Sequence, residues 1–403
     1  MRHGLQIKYL RDARVGSGRL TPGKAGPTLL LSMSTALPAI RIPVYRPELG
    51  GNEMAYVRQC LESTWISSKG EFIDRFQADF ARFIGAEHVV AVTNGTVALH
   101  LALLGVGIGP GDEVIVPSLT YIAAVNAIRY VGATPVFADA NAQTWQVEPT
   151  HVARLITSRT RAILAVHTYG QACDLAALGA LCRKHDLRLI EDCAEAFGTR
   201  IGTQHVGTFG DVATFSFFGN KTVTTGEGGM VVSRDAKVHA LICKLRGQGL
   251  AGEKEYWHDV VGYNYRITNI CAAIGVAQME RAAELIARKR ALADAMRTSM
   301  ADLPLVFHLE QPGTTHSFWM ISALARSESE REGLRKALRS RGIETRPLFH
   351  PAHTMPMYAA GQTDLDVSID LAARGLNFPS WPGLTKEQVA EIASTCRHFF
   401  ASK

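Results

Sequence analysis

The chain has 403 residues, 47% of them hydrophobic and 20% charged, with a net charge of +6. It is long enough for two or three domains, its composition is that of an ordinary soluble protein, and no apolar run reaches the roughly 18 residues of a membrane span. The positive charge is concentrated at the start: Arg2, Lys8, Arg11, Arg14, Arg19 and Lys24 stand against Asp12 within residues 1–40, so the near-neutral body has no broad nucleic-acid footprint.

Residues 1–40 read as a disordered basic extension rich in Gly, Ser and Pro. The apolar run Leu29 to Leu31 is too short for a signal peptide, and Met33 offers an alternative start. Helical spacing then covers Asn52 to Glu62 and Gly70 to Ile84, the second with Phe72, Ile73, Phe76, Phe80 and Phe83 as its apolar positions. Short apolar runs follow at His88–Val92, Glu113–Pro117, Thr134–Ala138, Ala162–His167, Leu187–Asp192, Val212–Phe217 and Met230–Ser233. Segments of helix length separate several of them: Thr96–Leu104, Tyr121–Tyr130, Pro149–Ile156 and Leu175–His185. Continuous apolar strands alternating with helices predict a mainly parallel, seven-stranded sheet covered on both faces. Ala272 to Met300 reads as one long helix or two, and Glu328–Arg341 and Lys386–Phe399 as helices of a smaller α/β domain. The expected division is an extension over 1–40, a large domain with an N-terminal segment over 41–285, and a small C-terminal domain over 286–403.

Three elements carry candidate chemistry. Asn94-Gly95-Thr96 follows a strand and opens a helix, whose free N–H groups suit a phosphate; an ordinary helix cap is the plainer reading. Asp192 ends an apolar strand, where ligands sit in open parallel sheets. It could keep a pyridine nitrogen protonated or simply cap the strand. Lys221 lies in a loop of glycines and hydroxyls between Ser216 and Gly229. A desolvated lysine there would be a usable amine, whereas a solvated loop lysine would be unremarkable chemically. A P-loop is excluded, since no glycines precede Lys221-Thr222 at the required spacing. The seven cysteines show no C-x-x-C and no metal spacing, so they read as reduced thiols of a cytosolic protein with no metal site.

Together these segments resemble the DegT/DnrJ/EryC1/StrS sugar aminotransferases, from about residue 42 to the C-terminus. The likeness rests on Thr93 to Thr96, Pro117 to Tyr121, His167 to Gly170, Glu191 to Ala194, Ser216 to Gly229 and Gly262 to Arg266. Within the family, Cys60 to Ser68, Pro117 to Ala123, Arg246 to Gly249, and Arg346 to His353 are similar to members that aminate a GDP-linked 4-keto-6-deoxymannose. The resemblance implies a fold-type I (aspartate aminotransferase-like) α/β fold whose large domain binds pyridoxal 5′-phosphate. Lys221 would be the catalytic Schiff-base lysine and Asp192 the partner of the pyridine nitrogen. Gly95, Thr96 and Ser216 would hold the phosphate, and Tyr121 would stack on the ring. Asn264 would reach the neighbouring subunit's cofactor, making a homodimer with shared sites. Glu195 stands where many members have Gln, and an ionised Glu near the cofactor's 3-oxygen can only accept a hydrogen bond. L-glutamate would donate the amino group, leaving 2-oxoglutarate, and a nucleotide-linked ketosugar would receive it.

Trp65, Arg266, His350 and His353 are candidate substrate contacts, each with a structural alternative. Members acting on dTDP- or UDP-linked sugars, or at C3, are the competing activities. Lys221 argues against the members that carry His in its place and dehydrate sugars. A regulator built on the same fold would need a DNA-binding domain, for which residues 1–40 are too short and too rich in glycine.

Overall fold

The computed structural model describes residues 38–252, 254–359 and 364–402. Most of the predicted basic extension, with Met33, lies outside the described residues.

Seven strands form the main sheet: β1 His88–Val92, β2 Glu113–Pro117, β3 Thr134–Ala138, β4 Thr160–Val166, β5 Arg188–Asp192, β6 Val212–Ser216 and β7 Gly229–Ser233. Their spatial order is β1-β7-β6-β5-β4-β2-β3. All neighbours pair in parallel except β7, which runs antiparallel to both β1 and β6. The six parallel strands therefore end on one edge of the sheet, and β7 begins there.

Among the described residues, twelve α-helices accompany the strands: α1 Glu53–Ser63, α2 Glu71–Ile84, α3 Gly95–Gly105, α4 Ile122–Tyr130, α5 Pro149–Leu155, α6 Leu175–His185, α7 Ala236–Arg246, α8 Asn269–Glu280, α9 Ala282–Ser299, α10 Glu328–Ser340, α11 Asp366–Arg374 and α12 Lys386–Ala401. The apolar period of α2 puts Phe72, Ile73, Phe76, Phe80 and Ile84 on its buried face. Phe80 meets Phe215 and Phe217 edge to face at 5.0 and 5.7 Å between ring centres. Each such burial contributes roughly 1.5–3 kcal/mol. Gly275 of α8 admits the Phe76 ring, because a Cβ there would lie 2.7 Å from it. α3, α4 and α7 cover the opposite face with Leu99, Leu103, Val125, Ile128 and Ile242. Both faces are thus dry, which explains why β2 is buried at every position.

The predicted strands lie within two residues of those observed. The long apolar stretch after residue 268 divides into α8 and α9 at Arg281. α7 and α11 were not anticipated: α7 buries only Ile242 and Leu245, and α11 is nine residues long with only Ser368, Leu371 and Ala372 buried.

A second sheet comprises β8 Val306–Phe307, β9 Ile321–Leu324, β10 Arg346–Pro347 and β11 Gly375–Phe378, in the antiparallel order β8-β9-β11-β10. α9, α10 and α12 share a core with it through Met296, Leu334, Leu338, Phe378 and Ile392. The first described segment joins this side of the molecule, with Ile42 buried in that core and bridged to Ile343.

Candidate active site

The site is built where β1, β5 and β6 end and β7 begins. Val92 and Ser216 both face Gly229 across the sheet. Above them the chain turns through Asn94 into α3. The Asn94 side chain accepts from Val97 N–H at 3.0 Å, so the cap reading is correct as far as it goes. The turn is also pressed onto the strands. A Cβ on Gly95 would lie 2.8 Å from Cβ of Ser216, and one on Gly229 would lie 2.5 Å from the Asn94 carbonyl. Glycine at both positions lets the Ser216 hydroxyl and the first amides of α3 converge, with Thr96 beside them. These groups could cradle a phosphate.

Asp192 closes β5 and is buried. Its carboxylate accepts a hydrogen bond from Ala194 N–H at 3.0 Å. Burial raises its pKa; the Ala194 amide and then the charge of Lys221 oppose the shift. Glu195, one turn onward, is 5% exposed and accepts from Tyr169 N–H at 2.7 Å. Burial pushes it up to about 7, against the pull of Lys221. Tyr169 adopts the left-handed φ of 59° that presents this N–H, a strained conformation held by its complete burial.

Lys221 is half-buried in a loop stitched to the end of β6. Phe217 N–H donates to Gly228 O at 2.8 Å, and Thr225 N–H donates to Phe217 O at 2.9 Å. The Lys221 Nζ stands 3.9 Å from the centre of the Trp319 ring. Burial lowers its pKa, while Glu195 and then Asp192 pull it back up. The loop lysine is therefore the desolvated amine, and two buried carboxylates share its charge. A further cationic N–H would relieve Asp192. With the phosphate cradle, this donor set fits pyridoxal phosphate: an anionic end, a ring nitrogen that can be protonated, and an aldehyde for an amine.

The other candidates are distributed unevenly. Tyr121 caps α4 and is 57% exposed, its ring 5.7 Å from Phe349. Arg266 bridges Val92 through its backbone, and its guanidinium donates to Asn264 Oδ1 at 3.4 Å, so this pair adjoins the end of β1. Trp65 is exposed, with its carbonyl held by Asn269 Nδ2 at 2.8 Å. His350 is exposed next to Phe349. His353 is buried, with Nδ1 2.6 Å from Ser118 Oγ. That contact favours its structural alternative.

His167, Glu191 and Cys193 also bring potential metal-ligand atoms within 4.8 Å of one another. Glu191 is already engaged by the N–H groups of Gly207, Phe209 and Gly210 at 2.7, 2.9 and 2.7 Å. His167 accepts Cys173 N–H on Nδ1 at 3.0 Å, which leaves Nε2–H to donate to Glu191 at 3.1 Å. The cluster is a satisfied hydrogen-bond network under the Asp192 strand end.

Sequence reasoning missed an aromatic wall. Tyr169, Phe349 and Trp319 stack in sequence, with Tyr169 to Phe349 at 5.1 Å and Trp319 to Phe349 at 6.3 Å. It also missed Tyr45, whose hydroxyl donates to the Lys221 carbonyl at 2.7 Å. These residues come from distant segments and share no period or spacing; only the His167-Thr168-Tyr169-Gly170 and Phe349-His350 stretches hinted at part of the wall.

Comparison with known proteins gives a consistent result. Residues 47–397 match the profile of the DegT/DnrJ/EryC1/StrS aminotransferase family. The chain is 52% identical over 362 residues to a GDP-perosamine synthase of Escherichia coli O157:H7, covering 90% of this chain and 99% of that one. It is 52% identical over 363 residues to a GDP-perosamine synthase of Vibrio cholerae, covering 89% and 99%. Among solved structures, the aminotransferase TlmJ from Streptoalloteichus hindustanus superimposes with a TM-score of 0.86 at 31% identity, covering 90% of this chain and 99% of that one.

Proposed function

The chain belongs to the DegT/DnrJ/EryC1/StrS aminotransferase family, and from that premise we propose that it moves the amino group of L-glutamate to C4 of GDP-4-keto-6-deoxy-D-mannose, giving GDP-perosamine and 2-oxoglutarate. It is a pyridoxal-phosphate-dependent sugar aminotransferase, and the named relatives at 52% identity support the GDP-linked ketosugar as acceptor. The observation that carries the reading is the half-buried Lys221 amine, held over the Trp319 ring and pulled on by the charges of Glu195 and Asp192, in the loop that follows Ser216 of the Gly95–Ser216 cradle.

Pyridoxal phosphate, when bound, supplies an aldehyde for the amine and a ring that stores the electrons released from a carbon–hydrogen bond. The chain's own residues set the geometry and the proton traffic. Gly95, Thr96 and Ser216 would bind the phosphate through α3 amides and hydroxyls. Asp192 would hold the proton on the ring nitrogen, the positive partner that its burial calls for. Tyr121 would cover one face of the ring. Lys221 Nζ, with its pKa lowered, would take the α-proton of glutamate as general base and deliver it toward the cofactor's C4′ carbon as general acid. In the second half-reaction the same nitrogen would run these transfers in reverse on the ketosugar. Glu195, near 7, exchanges a proton close to neutrality and so could accept or donate beside the ring oxygen. Trp65, Arg266 and His350 would line the sugar-nucleotide side; a guanidinium suits a diphosphate.

The working unit would be a homodimer in which Asn264 reaches the partner's phosphate cradle. Exposed Trp65, Ile66, Tyr121, Phe218, Trp257 and Val261 offer apolar surface for such an interface. A cytosolic location fits seven free cysteines. Among the described residues, no helix is long and apolar enough to cross a membrane.

The test is a substrate panel: purified protein, L-glutamate, and GDP-, dTDP- or UDP-linked 4-keto-6-deoxy sugars, with amino-sugar formation followed by mass. Turnover confined to the GDP sugar is expected. Good turnover of another sugar with none of the GDP sugar would remove the substrate assignment while leaving the aminotransferase.

A further inference from the structure

A second lysine is withdrawn from water only one residue away from Lys221 in the contact network. Lys289, in the middle of α9, is 1% exposed. Among the described residues no carboxylate lies within ion-pair distance of it. Its Nζ donates to the carbonyl of Trp319 at 2.9 Å and to that of Ser380, and lies 5.0 Å from the centre of the Tyr45 ring. An apolar side chain of similar length would fill this space without the cost of a buried amine. The lysine adds a charged tie between the Trp319 and Ser380 segments, which the Ser380 hydroxyl also joins.

Each segment leads to Lys221. Trp319 places its ring under the Lys221 ammonium and donates Nε1–H to Asn220 O at 2.8 Å. Tyr45 donates its hydroxyl to the Lys221 carbonyl at 2.7 Å. Ser380 binds the Trp319 carbonyl with its hydroxyl at 3.1 Å, and its N–H reaches the carbonyl of Val44, next to Tyr45, at 3.0 Å. Thus the main chain at residue 221 is clamped by Tyr45, the preceding carbonyl by the Trp319 indole, and the ammonium by the Trp319 face. The Lys289 amine touches both residues that make these three clamps, Trp319 at its carbonyl and Tyr45 at its ring. Without it the Ser380 carbonyl would lose its hydrogen bond in a dry interior, and the Trp319 carbonyl would keep only the Ser380 hydroxyl.

We propose that Lys289 is a positioning residue for Lys221: by anchoring Trp319 and Tyr45 it fixes where the Lys221 amine points and how strongly its ammonium is held. The proposal deepens the aminotransferase reading and rests on it. It assigns Lys289 no contact with substrate or cofactor.

The test uses full-length protein freed of cofactor and then given pyridoxal phosphate. Two quantities are read: the rate at which the visible band forms, with borohydride trapping and peptide mass analysis to locate the adduct, and the pH midpoint of that band. If the parent forms no adduct at Lys221, the underlying functional reading fails and the variants are not the issue. Given a parent adduct, Lys289→Met is expected to slow its formation at least about threefold, the scale of a lost cation–π contact. The pH midpoint should move by about half a unit or more, the same threefold factor in proton affinity. Tyr45→Phe and Trp319→Phe keep the core filled and should move both readings in the same direction by smaller amounts. A merely structural lysine would change thermal stability and leave the midpoint in place. A folded Lys289→Met with parental rate and midpoint overturns the proposal; if that variant does not fold, parental values for both Tyr45→Phe and Trp319→Phe overturn it.

Discussion

Lys221 and Lys289 are two lysines drawn away from water, Lys221 in part and Lys289 almost wholly, and their partners differ. Lys221 sits among glycines and hydroxyls at the end of β6, with Asp192 and Glu195 bearing on it. Lys289 sits inside α9 with only carbonyl oxygens and an aromatic face around it. Burial lowers the pKa of both, that of Lys289 to about 7. Carboxylates make the difference. They hold a proton close enough to be exchanged and leave room for a ligand that brings its own cation. Carbonyls cannot take a proton, so the amine they hold can only tie backbone to backbone. Desolvation therefore marks an unusual lysine, and the partners decide between chemistry and architecture.

The sharpest way to break this contrast is Lys221→Ala. It should abolish the visible band and lower turnover by about 100-fold or more, the usual contribution of a positioned acid–base group. Far-UV circular dichroism should be unchanged, because the loop's backbone hydrogen bonds do not use the side chain. A coloured, active Lys221→Ala protein would falsify the assignment of the amine.

A smaller effect is expected at the cradle. Gly95→Ala would push a methyl to within 2.8 Å of Ser216 Cβ, so α3 or β6 must shift, at a cost of about 1–3 kcal/mol. Weaker retention of pyridoxal phosphate in equilibrium dialysis, with Lys221 still able to form its adduct at saturating concentration, is the expected pattern. Unchanged retention would separate the cradle from the lysine centre.

The smallest effect belongs to Glu195→Gln, which tests whether the carboxylates tune the lysine. Glu195 has its folded pKa raised from 4.5 to about 7, so the folded state prefers the protonated form. Its stabilising contribution is present below pH 4.5 and is lost as pH rises through about 7. Glutamine mimics the protonated form. In cofactor-free protein, the thermal midpoint of Glu195→Gln relative to the parent should rise between pH 5 and pH 8. A difference that stays flat across that range would show that Glu195 does not titrate there.

Much of this protein was fixed by local pattern. The apolar runs set the strands of the main sheet because a strand covered on both faces has no polar alternative to bury. The spacing of phenylalanines set α2. The Asn94-Gly95-Thr96 turn and the strand-end Asp192 offered a candidate ligand edge, since chain order and strand ends are both sequence properties. The resemblance then named the ligand, and the match over residues 47–397 agrees with it. Tertiary structure alone decided three things. It showed that Asp192, Glu195 and Lys221 bear on one another, a relation between the ends of β5 and β6 that exists only once the strands lie side by side. It showed that His353 is held by Ser118, which a list of polar residues cannot reveal. It also brought Tyr45, Lys289, Trp319 and Ser380 to one point. Those residues lie far apart in the chain and follow no period. Each makes a contact whose energy depends on distance in space, and only packing sets that distance.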